Sequence, residues 1–387
     1  MNHCALLIPG LERIGGAERQ LLLLARGLRQ RGWRVTILAL TGSSGACGVA
    51  LEQAGIGFRS FHMRKGVADP RGWIGLNVWL WREKPDLLHA HLPHATWMAR
   101  WSRLLHPRLA VVDTLHSTST GFFWRKLGYR ASDWLAGVIT AVSVPVAEAH
   151  SAARLVNPRK LVVVPNGVDT QALRPSNEVR VAARRELGLC GEFLWVAAGR
   201  LVPVKDYPTL LAAMLILPEE ARLAIAGDGP LSTQLRTMVA RLGLEDRVQF
   251  LGFVPDVSRI LQAADAAVLS SLWEGLPLIL LEAGAICLPS VATNVPGLSQ
   301  MVVPGETGWL AERGDPAALA QAMLRLMQTP VEERHRMGQR ARLRIEQGYS
   351  LEAVLDQWEQ VYAAASARVH GRLRPPCIPA ARRIAGS

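Results

Sequence analysis

Glu274 and Glu282 stand at the two ends of the stretch EGLPLILLE, where a short apolar run gives way to an apolar helix. The run ADAAVLSS, 264–271, reads as a buried strand, and Gly275 and Pro277 then mark a turn. Glu274 is therefore expected at the strand's carboxyl end and Glu282 inside the following helix. The N-terminal amides of such a helix favour an anion in the crevice beyond the sheet. Carboxylates accept hydrogen bonds from hydroxyls and amides donate to phosphate, so the combination suits a phosphorylated sugar.

Two cations fall at the corresponding place in an earlier strand-to-helix junction. Gly199 and Arg200 end the run FLWVAAG, and Lys205 precedes the next helix. A departing diphosphate gathers negative charge, which fixed Arg and Lys side chains neutralise without a metal. The bland alternative is a solvated loop with two ordinary surface charges. Further turns end later strands: AGDGP at 226–230, which contains Gly229, and LGFVPD at 251–256. Phe253 and Val254 are placed to offer backbone groups to a nucleobase while Glu282 accepts from ribose hydroxyls. Gly15 and Gly16 open a helix after the first strand and bring amides within reach of phosphate, although a glycine pair is more often only a tight turn.

Histidines gather in the first half at His89, His91, His94 and His116. We expect the alternation along DLLHAHL to send His89 and His91 to opposite faces, which disfavours a shared metal ion. His116 follows the strand AVVDTL, where an imidazole can hydrogen-bond a sugar hydroxyl or handle a proton.

Strand and helix alternate through both halves, which implies parallel sheets covered on both faces. The expected division is a Rossmann-like domain at 1–170, a second at 171–368 ending in helices, and a basic, flexible tail at 369–387. The ligand is expected in a central cleft between the domains, and the last helix either closes the second domain or crosses back to the first. The chain has 387 residues and a net charge of +12. Residues 1–170 hold 21 Lys and Arg against 10 Asp and Glu, an excess of 11, whereas 171–368 hold 19 against 22. The basic half implies an anionic partner. Five scattered cysteines show no metal, redox or disulfide spacing. No secretory leader is recognisable, no apolar run reaches the ~20 residues of a membrane span, and no nucleic-acid recognition module accompanies the basic residues.

Several motifs in order resemble the retaining glycosyltransferases of the GT-B fold, family 4: GGAER at 15–19, TLHS, VVPNGVD at 163–169, GRLVPVKDYPTLL at 199–211, AGDGP, LGFVPD and the glutamate pair. The resemblance implies transfer of a hexose or N-acetylhexosamine from a nucleotide-sugar, with UDP or GDP as nucleotide, to a saccharide in polysaccharide or glycolipid biosynthesis. It implies no cofactor and no metal. It assigns Arg200 and Lys205 to the diphosphate, Glu282 to ribose, Glu274 to the donor sugar and His116 to the reacting ring. Gly15, Gly16, Gly229, Phe253, Val254, Gly275, Leu276 and Pro277 complete the expected donor surface. Two departures stand out: EAGAICLPSVA carries Gly284 and Cys287 where the family usually has Met and Gly, and VPGLSQ carries Pro296 and Gln300 for Gly and Glu.

Segments 97–109 and 122–135 interleave aromatic and basic residues. They read either as a face for anionic lipid or as core tryptophans with solvated arginines. A lipid-linked acceptor and a cytoplasmic, peripheral location at the inner face of the membrane are the expectation. A nucleotide-sugar epimerase, a disaccharide phosphorylase and a non-catalytic membrane-associated scaffold are the alternatives.

Overall fold

The computed structural model describes residues 2–12, 14–64, 69–119 and 123–369. The tail expected from 369 lies outside them except for Val369. The chain divides into two compact units, 1–166 with 351–387, and 167–350.

The first unit carries strands β1 (His3–Ile8), β2 (Arg34–Ala39), β3 (Gly57–Ser60), β4 (Leu87–His91), β5 (Ala110–Leu115), β6 (Val138–Ala141) and β7 (Leu161–Val163). They form one parallel sheet in the order β3-β2-β1-β4-β5-β6-β7. Side-chain alternation explains why both faces are covered. Cys4, Leu6 and Ile8 point into one core with helix α1 (Gly16–Gln30), while Ala5 and Leu7 point into the other. After the short α2 (Gly48–Gln53), helices α3 (Pro70–Glu83) and α4 (Pro93–Ser102) cover that second face. Helices α5 (Phe123–Ser132) and α6 (Val144–Ala152) complete the alternation.

The second unit begins with α7 (Asn177–Glu186) and β8 (Phe193–Ala198), followed by α8 (Tyr207–Ile216), β9 (Ala221–Ala226), α9 (Ser232–Arg241) and β10 (Val248–Gly252). Then come α10 (Ser258–Ala263), β11 (Ala266–Leu269), α11 (Leu278–Ala285), β12 (Ser290–Thr293), β13 (Gly308–Ala311), α12 (Pro316–Gln328) and α13 (Val331–Gly348). The sheet order is β10-β9-β8-β11-β12-β13, all parallel. Strand order reverses beside β8, so the loops leaving β8 and β11 flank the point where a doubly wound sheet opens a crevice.

The last helix, α14 (Leu351–Val369), corrects the expected boundary at 368: it belongs to the first unit. Its apolar stripe of Val354, Leu355, Trp358, Val361 and Tyr362 is buried against α1 and the sheet. Arg31 pairs with Asp356 at 2.6 Å and Glu359 at 2.7 Å, and Trp33 Nε1 donates to Glu359 at 2.9 Å. Burial of that stripe, rather than chain order, decides where the helix packs.

Candidate active site

The loops after β8 and β11 bring Lys205 and Glu274 into an ion pair, Nζ to Oε1 2.5 Å, with side chains 20% and 13% exposed. The strand-to-helix turns place both. Leu272 N donates to Val204 O at 2.8 Å and Ser270 Oγ to Lys205 O at 2.9 Å, which stitches the loops together. Ser271 Oγ donates to the same Glu274 oxygen at 2.7 Å, and Thr293 Oγ1 donates to Ser271 O at 2.6 Å. Thus the carboxylate is held from two sides. Tyr207 donates to Gly199 O at 3.1 Å, and burial followed by the neighbouring Glu274 pushes its phenol up, so it stays protonated.

Arg200 lies on the same loop as Lys205, exposed, and its guanidinium has no partner among the described residues. The turn containing Gly229 packs directly on that loop: Leu201 N donates to Asp228 O at 3.0 Å, and a β-carbon on Gly229 would lie 2.5 Å from Leu201 O. A β-carbon on Gly227 would overlap the Gly199 carbonyl, and Gly227 N donates to Gly252 O at 2.7 Å. Glycine is required because backbone meets backbone. The ends of β8, β9 and β10 are therefore one continuous backbone surface, with Phe253, 58% exposed, and half-buried Val254 at its far end.

Glu282 is 7% exposed within α11, and Gly275, Leu276 and Pro277 form the buried turn that leads to it. Gly297 closes this turn from behind at φ 93°, where a β-carbon would lie 2.6 Å from Gly275 O and 2.7 Å from Glu274 O. Gly297 therefore fixes the position of the glutamate loop. Gly284 meets Ile345 of α13, and Cys287 adopts φ 60°, the left-handed region that suits glycine.

In the first unit, Gly15 is the N-cap of α1, and its amide donates to Glu18 Oε2 at 3.0 Å. That amide is accordingly occupied by the chain itself, whereas nothing lies within 4 Å of a β-carbon on Gly16. His116 Nε2 and His91 Nδ1 are hydrogen-bonded at 3.0 Å. The expected separation of His89 from His91 is wrong. Residues two apart on a strand share a face, and the two rings stack at 4.1 Å between centroids. Among the described residues no group of three His, Cys, Asp or Glu side chains is placed to hold a metal ion. Burial holds His116 down to about 4 and His89 and His91 well below the ordinary value, with charge on neighbouring imidazoles adding to the effect for the latter two.

The segments 97–109 and 122–135 divide between both readings. Arg100 is fully buried, its Nε donating to Asp113 Oδ2 at 2.7 Å, and Trp97 packs on Gly128. Trp101, Leu104 and Leu105 are 40%, 54% and 57% exposed, and with Trp73 and Trp97 they line an open groove of about 540 Å³ between α3 and α4. Phe123 and Trp124 on α5, Trp134 after it, and Trp81 on α3 are also exposed. Phe122 lies outside the described residues.

Sequence reasoning missed Ser271 and Tyr207 as members of these sites, and named His91 only in a disfavoured metal group rather than as the partner of His116. Ser270 and Ser271 registered only as small residues ending a strand, although a hydroxyl three positions before a carboxylate is a turn signal.

The Glycosyl transferases group 1 profile matches residues 182–344 and the Glycosyltransferase Family 4 profile matches residues 14–172. The chain is 31% identical over 297 residues to the N-acetyl-alpha-D-glucosaminyl L-malate synthase of Bacillus anthracis, covering 73% of this chain and 75% of that protein. It is 28% identical over 310 residues, 76% of this chain and 80% of the other, to the UDP-Gal:alpha-D-GlcNAc-diphosphoundecaprenol alpha-1,3-galactosyltransferase of Escherichia coli. Anabaena HepE, solved in complex with UDP-glucose, shares the fold at a TM-score of 0.83 and 23% identity over 93% of this chain and 99% of that one.

Proposed function

The chain belongs to the group 1 glycosyl transferases, and from that premise we propose that it moves a hexose or N-acetylhexosamine from a nucleoside-diphosphate sugar to a lipid-linked saccharide, with retention of anomeric configuration. The observation that carries the reading is the Lys205–Glu274 pair at the reversal point of the second sheet, with Arg200 unpartnered on the same loop. A diphosphate arriving there meets two cations. Lys205 and Arg200 hold its oxygens and neutralise the charge that grows as the anomeric carbon–oxygen bond breaks. Glu274, steadied by Ser271, accepts from hydroxyls of the donor sugar. Glu282 binds ribose, and the backbone of Phe253 and Val254 meets the base.

The acceptor hydroxyl attacks the face that the diphosphate leaves, and its proton passes to a leaving phosphate oxygen. Charge is carried by side chains throughout, so EDTA is expected to leave the rate unchanged. His116 hydrogen-bonds the transferred ring. The relative from Escherichia coli is named for a diphosphoundecaprenol acceptor. The exposed aromatic groove between α3 and α4 supports an amphiphilic acceptor here too, delivered at the inner face of a membrane.

Thermal-shift screening against UDP, GDP, ADP and their sugars identifies the donor, because a ligand bound only by the folded state raises its melting temperature. Transfer then yields a product whose anomeric configuration, read by NMR, matches the donor. Lys205→Ala is expected to lower kcat/KM by about 100-fold or more with the fold intact. Turnover near that of the unsubstituted protein would refute the assignment of the pair, and an inverted anomer would refute retention.

A further inference from the structure

Four side chains beneath His116 form a hydrogen-bond chain whose direction is fixed by counting protons. Thr140 Oγ1 lies 3.0 Å from the Asp113 carbonyl, which has no proton to give, so Thr140 donates there. Its one proton is then used. The 2.8 Å contact between Thr114 Oγ1 and Thr140 Oγ1 must therefore be donated by Thr114. Thr114 in turn has none left for His89, so across their 2.6 Å contact His89 Nε2–H donates to Thr114. A neutral imidazole with its proton on Nε2 accepts at Nδ1, and the group standing 2.8 Å from Nδ1 is the hydroxyl of Tyr362. All four side chains are buried: His89, Thr114 and Tyr362 are at most 1% exposed and Thr140 is fully enclosed.

The same reasoning orients the pair above. His91 Nε2 is buried with no partner, and a bare lone pair is better tolerated there than an orphaned N–H. His91 therefore carries its proton on Nδ1 and donates to His116 Nε2 across 3.0 Å. His116 is left with a proton on Nδ1, and that nitrogen has no protein partner among the described residues. His91 rests on His89 at 4.1 Å, and His89 is clasped on its other side by Trp358 at 4.6 Å, from the same helix as Tyr362.

We propose that Tyr362 of α14 is a positioning residue for His116: its hydroxyl locks the ring that supports His91, and His91 in turn makes His116 a donor through Nδ1–H. This rests on the reading that His116 touches the transferred sugar. It adds that a residue of α14 supports the ring beneath His91, and that His116 gives rather than takes a hydrogen bond.

The tautomers are read directly by long-range proton–nitrogen correlation spectra of the full-length protein labelled with 15N-histidine. Expected are Nε2–H for His89 and Nδ1–H for both His91 and His116. In Tyr362→Phe, which keeps the ring, the His89 Nδ1 resonance moves toward that of a free acceptor nitrogen. Transfer by this variant is expected to fall about fivefold in kcat with KM for the donor unchanged, the size of one neutral hydrogen bond. Thr114→Val removes the acceptor of His89 Nε2–H at the other end of the chain and should shift the His89 Nε2 resonance and lower kcat to a similar extent, while Thr114→Ser restores both. Nδ1–H on His89, or Nε2–H on His116, overturns the proposal, as does unaltered kcat in both Tyr362→Phe and Thr114→Val. Failure of the underlying reading looks different: His116→Ala would keep full transfer while the tautomers remained as stated.

Discussion

His89, His91 and His116 are held neutral by burial, and this makes the first unit sensitive to acid. Their folded values lie below the ordinary ~6.5, so on acidification the unfolded chain takes up protons first. Their contribution is complete above about pH 6.5 and is lost as the pH falls toward the folded value of about 4 for His116. The melting temperature is expected to drop between pH 7.5 and pH 5, and to drop less in His116→Asn; calorimetry across that range checks both. The charged residues of the candidate site are legible in the sequence because their types are unusual beside strand ends. Their supports are not. Ser271, Tyr207 and His91 are ordinary residues until the loops fold, and His89 and His91 were assigned to opposite faces although two residues make one full strand period. Cys287 shows the reverse case: the resemblance marks it as a replacement for glycine, and its φ of 60° shows that the backbone has kept the shape glycine suits.

At the scale of elements, continuous apolar runs reveal the strands buried on both faces, such as β1 and β8. Two of the four edge strands escape. GFRS at β3 and GWLA at β13 have four residues each and no clean period. Helix α3 is obscured by Gly72 and Gly75, which lie where Met63 and Phe61 pack. Helix α14 is readily recognised as a helix, but its packing partner is settled only by complementary shape. Leu355 presses on Gly27 of α1, where any β-carbon would come within 2.5 Å of a Leu355 methyl. Leu355→Ala opens a cavity at this contact and should cost about 2–4 kcal/mol. Urea unfolding of the first unit, followed by tryptophan fluorescence, measures it, and a loss below about 0.5 kcal/mol would show that the helix is not integral to that core.

For the molecule as a whole, the positive excess and most of the exposed tryptophans among the described residues lie in one unit. The excess of 11 positive charges lies in 1–170, which also holds Trp81, Trp101, Trp124 and Trp134, each at least 40% exposed. No helix among the described residues is long and apolar enough to cross a membrane. Adsorption to anionic lipid is the expected outcome. The protein should float with vesicles containing phosphatidylglycerol at low salt, bind several-fold less at 0.5 M salt, and lose most remaining binding in Trp101→Ala/Trp124→Ala. Recovery entirely in the unbound fraction at low salt would remove the membrane from the proposed function. Two parallel sheets were evident from the alternation of runs, because each βαβ repeat writes its own pattern; the assignment of 351–369 to the first was not, because no local pattern records a long-range return.

That return has a consequence for biosynthesis. Residues 167–350 form an uninterrupted stretch and can complete their own sheet and helices while the remainder is still being made. The unit made first must wait longest, since its core lacks Trp358 and Tyr362 until the last helix leaves the ribosome. A product halted near residue 350 would thus pair a finished second unit with an unsealed first one, and quality control would meet the defect in the unit whose strands were translated before it.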